Sequence, residues 1–112
     1  MDVEFESPAE TWFLELDEPL QKRVTKIARQ LEMQERGLLG TPYLKKLQNT
    51  DEDLYELVID VKGHLLRPIL AFEPGDDGEC AVILVGGDKK GDDRYYEDMI
   101  PEAEAQLEAY RD

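Results

Sequence analysis

Apolar and polar positions along the chain fall into two kinds of pattern. From Leu20 onward, Leu20, Val24, Ile27, Ala28 and Leu31 recur at helical spacing, with Lys22, Arg23, Lys26 and Arg29 largely off that face. Asp17-Glu18-Pro19 marks the start of this helix, and Gly37 is the expected C-cap. Ahead of it, Ser7-Pro8-Ala9-Glu10 has the form of a capping box, predicting a helix from Pro8 with Trp12, Phe13 and Leu16 on its apolar side. Together the two segments predict a helical hairpin, preceded by a short strand in which Val3 and Phe5 alternate with acids.

The second half alternates in strand fashion. Leu54 to Val61 places Tyr55, Leu57, Ile59 and Val61 on one face, with Glu56 and Asp60 on the other, as in a half-buried strand. Lys62-Gly63-His64 predicts a tight turn into an apolar run from Leu65 to Phe72, interrupted by Arg67 and Pro68. Pro68 lacks the amide proton of a ladder, so it predicts a bulge or an unpaired position there. Glu73 to Gly78 is rich in turn formers, and Ala81 to Val85 is continuously apolar, as in a central strand buried on both faces. Asp92 or Asp93 is placed to cap a last helix carrying Tyr95, Tyr96, Met99, Ile100, Ala103, Leu107 and Tyr110. Pro101 is expected to kink or restart that helix. The order β-α-α-β-β-β-α, with three strands in an antiparallel meander under a helical hairpin, is an α+β fold, expected as a single domain over residues 1–112.

Charge sharpens this reading. The chain carries a net −14, which opposes non-specific binding to nucleic acid and anionic membranes. Its distribution is uneven. Residues 1–21 hold seven acids and no base, whereas residues 22–47 hold seven bases against two acids. No stretch has the length of a membrane span, and the start lacks a secretory signal, so a cytoplasmic protein without membrane contact is expected. Cys80 is the only cysteine and reads as a small core residue. One His and one Cys offer no metal-ligand spacing, so neither metal nor other cofactor is expected. Arg67 inside one apolar run, with Lys89, Lys90 and Arg94 just past the next, is the candidate functional cluster.

Taken together, PYLKKLQNTDEDLYELVID, LLRPILAFEP and AVILVGGDKKGDDRYYEDMIP resemble the RelE/ParE toxin superfamily, in particular its HigB-like, phage-derived branch. The resemblance implies a small twisted, mainly antiparallel sheet with an N-terminal helical hairpin and a C-terminal helix. It also implies the toxin of a type II toxin-antitoxin system, a ribosome-dependent mRNA endoribonuclease silenced by a cognate antitoxin, often of helix-turn-helix type, as a dimer or a heterotetramer with it. Gyrase inhibition is the superfamily's other activity.

Metal-free RNA cleavage needs a base or proton relay, a cation for the charge developing on phosphorus, and an acid for the leaving oxygen. Arg67 suits the cation, Lys89 a second charge or relay, and Tyr96 orientation of the nucleophile. Lys45, Lys46, Lys90, Arg94 and Tyr95 suit contacts to RNA. A competing reading gives Arg67 a buried ion pair with Glu56 or Asp60. His64, the only histidine, is a further general-base candidate. Val58 stands where the family has Arg after Leu-Tyr-Glu-Leu. With the net charge, that substitution motivates an alternative: a catalytically inactive module whose acidic surface mimics nucleic acid and blocks a basic partner.

Overall fold

The computed structural model describes residues 1–112. In chain order the elements are β1 (Val3–Phe5), α1 (Ser7–Leu14), α2 (Glu18–Gln34), a short 3-10 turn (Glu35–Leu38), β2 (Leu44–Lys46), β3 (Tyr55–Leu57), β4 (Ile59–Val61), β5 (His64–Leu66), β6 (Ile69–Gly75), β7 (Gly78–Val85) and α3 (Tyr95–Arg111). Five strands form one sheet in the order β1-β7-β6-β3-β2, in which only β1 and β7 run parallel. β4 and β5 form a separate ribbon. The α+β class and the helical hairpin expected from the sequence are both present.

The sheet separates two cores. On one side α2 buries Leu20, Val24, Ile27, Ala28 and Leu31 against Tyr55, Leu57, Leu70, Ala81 and Ile83. On the other, Ala103 and Leu107 of α3 pack on Leu54, Ile69, Val82 and Leu84. From Cys80 to Leu84 β7 therefore feeds the two cores in alternation, which is why that part of the strand is apolar without a break. Each large side chain so buried contributes about 1.5–3 kcal/mol.

Two expected strands are each cut in two. The register runs continuously through the cut: Glu56 faces Ile69, Leu57 donates its N–H to the Pro68 carbonyl at 3.0 Å, and Ile59 faces Leu66. Pro68 has no N–H to return to Leu57, so the β3–β6 ladder lapses there, while β5 stays beside the chain that follows β7 through the Leu66–Asp88 bridge. The break thus comes at the proline, with a register irregularity against β7 one residue later, between Ile69 and Leu70.

The helix ends also differ from expectation. Ser7 is the first residue of α1 rather than its cap, and neither Glu6 nor Asp17 caps through its side chain. α2 stops at Glu35, which takes φ 53°, and not at Gly37. Neither Asp92 nor Asp93 is the cap of α3: Arg94 holds that position with no side-chain cap, and Asp92 Oδ1 accepts from the Arg94 N–H at 3.0 Å in the turn just ahead of the helix. α3 continues through Pro101 as one helix, with no restart.

After β7 the chain passes two close approaches. A β-carbon built on Gly86 would overlap the Trp12 ring, and one on Gly87 would stand 2.8 Å from Tyr95 Cε1. Gly86→Ala is expected to cost about 1–3 kcal/mol through overpacking, measured by denaturant unfolding. An unchanged midpoint would show that α1 is free to move aside.

Candidate nucleic-acid interface

Alternation along β3 sets the site. Tyr55 and Leu57 point into the α2 core, so Glu56 points to the opposite face, beside the start of α3. There Glu56 is 5% exposed and Arg67 is 6% exposed. The Arg67 guanidinium donates to Asp60 Oδ1 at 2.7 Å and to the Leu66 carbonyl at 2.9 Å, and its Nε lies 3.7 Å from Glu56 Oε1. Tyr96 donates its hydroxyl to the same Glu56 oxygen at 3.0 Å, while Glu56 Oε2 is buried without a partner. The ion pair weighed for Arg67 is therefore present with both carboxylates. Glu56 occupies its interior face, and Asp60, whose side chain is 59% exposed, covers its solvent face.

The loop after β7 brings the lysine. Residues 87–89 pair with the ribbon: Arg67 donates its N–H to the Gly87 carbonyl at 3.0 Å, and Lys89 donates to Leu65 at 2.9 Å. This fixes the Lys89 ammonium 5.7 Å from the Tyr96 ring centroid. Tyr96 thus stands between the two cations: its hydroxyl shares Glu56 Oε1 with Arg67, and its ring lies beside the Lys89 ammonium. Lys45, directly opposite Glu56 in the β2–β3 register, flanks the same face.

The other expected contacts are dispersed. Lys46 bridges Asp53 at 3.3 Å, and Arg94 is engaged by Glu97 at 2.8 Å on the exposed start of α3. Lys90 lies over Gly63 at the ribbon turn. Tyr95 is buried and donates its hydroxyl to the Arg67 carbonyl at 2.7 Å, so its ring has no surface on which to stack a base. Its contribution is to hold the backbone of Arg67.

Two tyrosines here stay neutral. Burial, then the charges of Tyr96 and Glu56, push the Tyr95 hydroxyl far up. Burial and the Glu56 carboxylate push Tyr96 up to about 12, which makes it a hydrogen-bond donor rather than a base. Cys80 is a core thiol as expected, raised chiefly by burial and 3.8 Å from the Tyr110 hydroxyl.

His64 belongs elsewhere. Its Nδ1 is 2.7 Å from Asp88 Oδ2, whereas the next residue, Lys89, turns toward Tyr96. His64 therefore sits across the thin ribbon from Arg67. Burial raises the Asp88 carboxyl, but His64 and the N–H groups of Lys90 and Leu65 outweigh it and hold Asp88 below the ordinary aspartate range. A carboxylate held low in the folded state stabilises above its unfolded value, and that stabilisation is lost as pH falls through the folded one. Asp88→Asn should therefore lower stability at neutral pH and flatten its fall on acidification, read from thermal midpoints across the acid range. An unchanged acid limb would remove Asp88 as its source.

Glu56 was the residue that sequence reasoning undervalued. Alternation puts Glu56 on the polar face of its strand, and only the cover of α3 over that face makes it a buried carboxylate in need of a cation and a donor. No group of three or more His, Cys, Asp and Glu side chains is arranged to hold a metal ion. No helix is long and apolar enough to cross a membrane.

The chain is similar over residues 11–108 to the family described as phage derived protein Gp49-like (DUF891). Among solved structures it is similar to E. coli toxin RelE, in the free state of a double-arginine mutant. The identity is 14% and the TM-score 0.59, covering 88% of this chain and 93% of that one. No curated protein matches it. With the two-sided sheet, the N-terminal helical hairpin and the meander already described, these matches bear out the resemblance seen in the sequence: the chain belongs to the Gp49-like phage-derived family and has the RelE fold.

Proposed function

We propose that this protein is the toxin of a type II toxin-antitoxin system, an mRNA endoribonuclease acting on the ribosome and neutralised by a cognate antitoxin of helix-turn-helix type. What carries the reading is the convergence of Arg67, Glu56, Tyr96 and Lys89 on one sheet face at the mouth of α3. In this mechanism the phosphate displaces Asp60 from Arg67, since Asp60 is the exposed partner and Glu56 the fixed one. The guanidinium then carries the charge that develops as the 2′-oxygen attacks phosphorus. Glu56 is the carboxylate nearest to Arg67 that can take the 2′-hydroxyl proton, but its Oε2 is buried, so the proton reaches it only once Asp60 and Tyr96 have moved aside. Lys89 supplies the second charge and a proton for the departing 5′-oxygen. Lys45, Lys46, Lys90 and Arg94 would contact RNA only at the periphery.

Expression without an antitoxin tests this. The wild type should arrest growth, and Lys89→Met should relieve the arrest at equal protein level. A folded wild type that leaves growth unaffected would remove the toxin reading.

A second reading is favoured by one observation. Arg67 already has two carboxylates on it, and the chain as a whole carries −14. A RelE-fold module without catalysis, whose acidic surface occupies a basic protein, would need no free Arg67. Such a complex should dissociate steeply as salt rises.

A further inference from the structure

Lys89 sits where the pairing beside β5 stops. A single rung joins β5 to the chain after β7: the Leu66–Asp88 bridge, with Arg67 donating to the Gly87 carbonyl and Lys89 to the Leu65 carbonyl. In a continued antiparallel ladder Leu65 and Lys89 would form the next pair, and the Leu65 N–H would return to the Lys89 carbonyl. That carbonyl is taken instead. It accepts from the Asp92 N–H at 3.1 Å as the chain turns away through Gly91, at φ 71°. The Leu65 N–H therefore needs another acceptor.

Asp88 supplies it. Its Oδ1 accepts from the Leu65 N–H and from the Lys90 N–H, each at 3.0 Å, and so ties together the ladder partner of Lys89 and its successor in the chain. Its Oδ2 lies 2.7 Å from His64 Nδ1. An ionised carboxylate only accepts, so Nδ1 carries the proton and the imidazole fixes which way the carboxylate faces. The two side chains are 44% and 32% exposed, so their attraction adds little to stability by itself. What the pair sets is direction.

We propose that Asp88, oriented by His64, is a positioning residue for Lys89. The carboxylate replaces the missing return bond, fixes the line along which the Lys89 side chain leaves the backbone, and so keeps the ammonium 5.7 Å from the centre of the Tyr96 ring. Successive side chains of an extended segment point to opposite sides, so Asp88 grips the loop from one side while Lys89 reaches the candidate site from the other. This gives His64 a role that needs no proton transfer to RNA. A misplacement of about 1 Å at a reacting centre costs about 100-fold in rate, so the grip matters far more to cleavage than to folding.

The rate part of the test rests on the cleavage reading, and the geometric part does not. Geometry is read without RNA, from nuclear Overhauser contacts between the Lys89 ε-methylene and the Tyr96 ring in the full chain. Asp88→Ala and His64→Leu should lose these contacts. His64→Asn, whose amide donates from the place of Nδ1, should keep them. The amide resonances of Ile27 to Leu31 should stay in place throughout, as a check on the fold. On ribosome-bound mRNA, Asp88→Ala should lower the rate at saturating complex by about tenfold or more with KM little changed, and His64→Asn should stay within about threefold of the wild type. In a Lys89→Met background, Asp88→Ala should cost nothing further, because the two residues act as one unit. Contacts that persist in Asp88→Ala, or losses that add to those of Lys89→Met, would overturn the proposal. Loss of contact in His64→Asn as complete as in His64→Leu would overturn the part given to His64. A folded wild type that shows the contacts and leaves mRNA whole would remove the cleavage reading, and the contacts alone would then decide the role of Asp88.

Discussion

Arg67→Ala is expected to destabilise the fold by about 3–5 kcal/mol, among the largest effects available from a single substitution here. The loss is not that of a surface bridge. Glu56 is buried with one oxygen already unpartnered, and removing the guanidinium leaves a carboxylate in the interior with only the Tyr96 hydroxyl against it. Asp60, by contrast, is exposed and returns to water at little cost. The asymmetry makes a second expectation. Replacing both buried partners, Arg67→Met with Glu56→Leu, should recover most of the stability, because a well-packed apolar pair removes the charge along with its partner. Chemical denaturation of the two single variants and the double variant measures this. If Arg67→Ala alone costs less than about 1 kcal/mol, the guanidinium is held by solvent-exposed contacts only and the burial argument fails.

Lys89→Met is expected to lower RNA cleavage by about 100-fold or more while leaving the fold intact. Lys89 is tied to the ribbon through its backbone N–H on Leu65, which the substitution keeps, and its ammonium makes no ion pair whose loss would unsettle the loop. Its contribution is therefore electrostatic and confined to charge that appears in the reaction. Tyr96→Phe should show a smaller loss in cleavage, with some loss of stability, because its hydroxyl is neutral far beyond neutral pH and acts by fixing Glu56. Cleavage rates at saturating ribosome complex separate the two variants. Equal losses in rate and in thermal midpoint for Lys89→Met would indicate that its role is structural.

Much of this architecture was readable from spacing. The buried face of α2 matches the predicted Leu20, Val24, Ile27, Ala28 and Leu31 residue for residue, because a period of 3.6 against a flat sheet admits one solution. The ribbon was readable only in part. Pro68 predicts a bulge or an unpaired position in the run from Leu65 to Phe72, and the break falls there, but nothing in the alternation from Leu54 to Val61 predicts that its strand is cut as well. The capping sequence at Ser7 also misled: parallel pairing of Val3–Phe5 with β7, continued by the Glu6 N–H on the Ile83 carbonyl at 2.9 Å, fixes the entry to α1 and leaves Glu6 as the cap. For the candidate site, it was legible that Arg67 and Lys89 come from neighbouring strand ends, which the backbone bonds of Arg67 to Gly87 and of Lys89 to Leu65 bring side by side. That Asp60 and Glu56 would claim the guanidinium first was one of two open readings. Tertiary placement of carboxylates at alternating positions decided it, and a single chain's pattern does not contain that information.

The most direct test puts the purified protein with programmed ribosomes and maps mRNA ends by primer extension, with free mRNA in parallel. The wild type should cut within the coding region of ribosome-bound mRNA in the absence of added metal, and Lys89→Met should leave that mRNA largely whole. Intact message after prolonged incubation with folded wild-type protein would contradict the account and leave a RelE fold whose buried arginine serves structure alone.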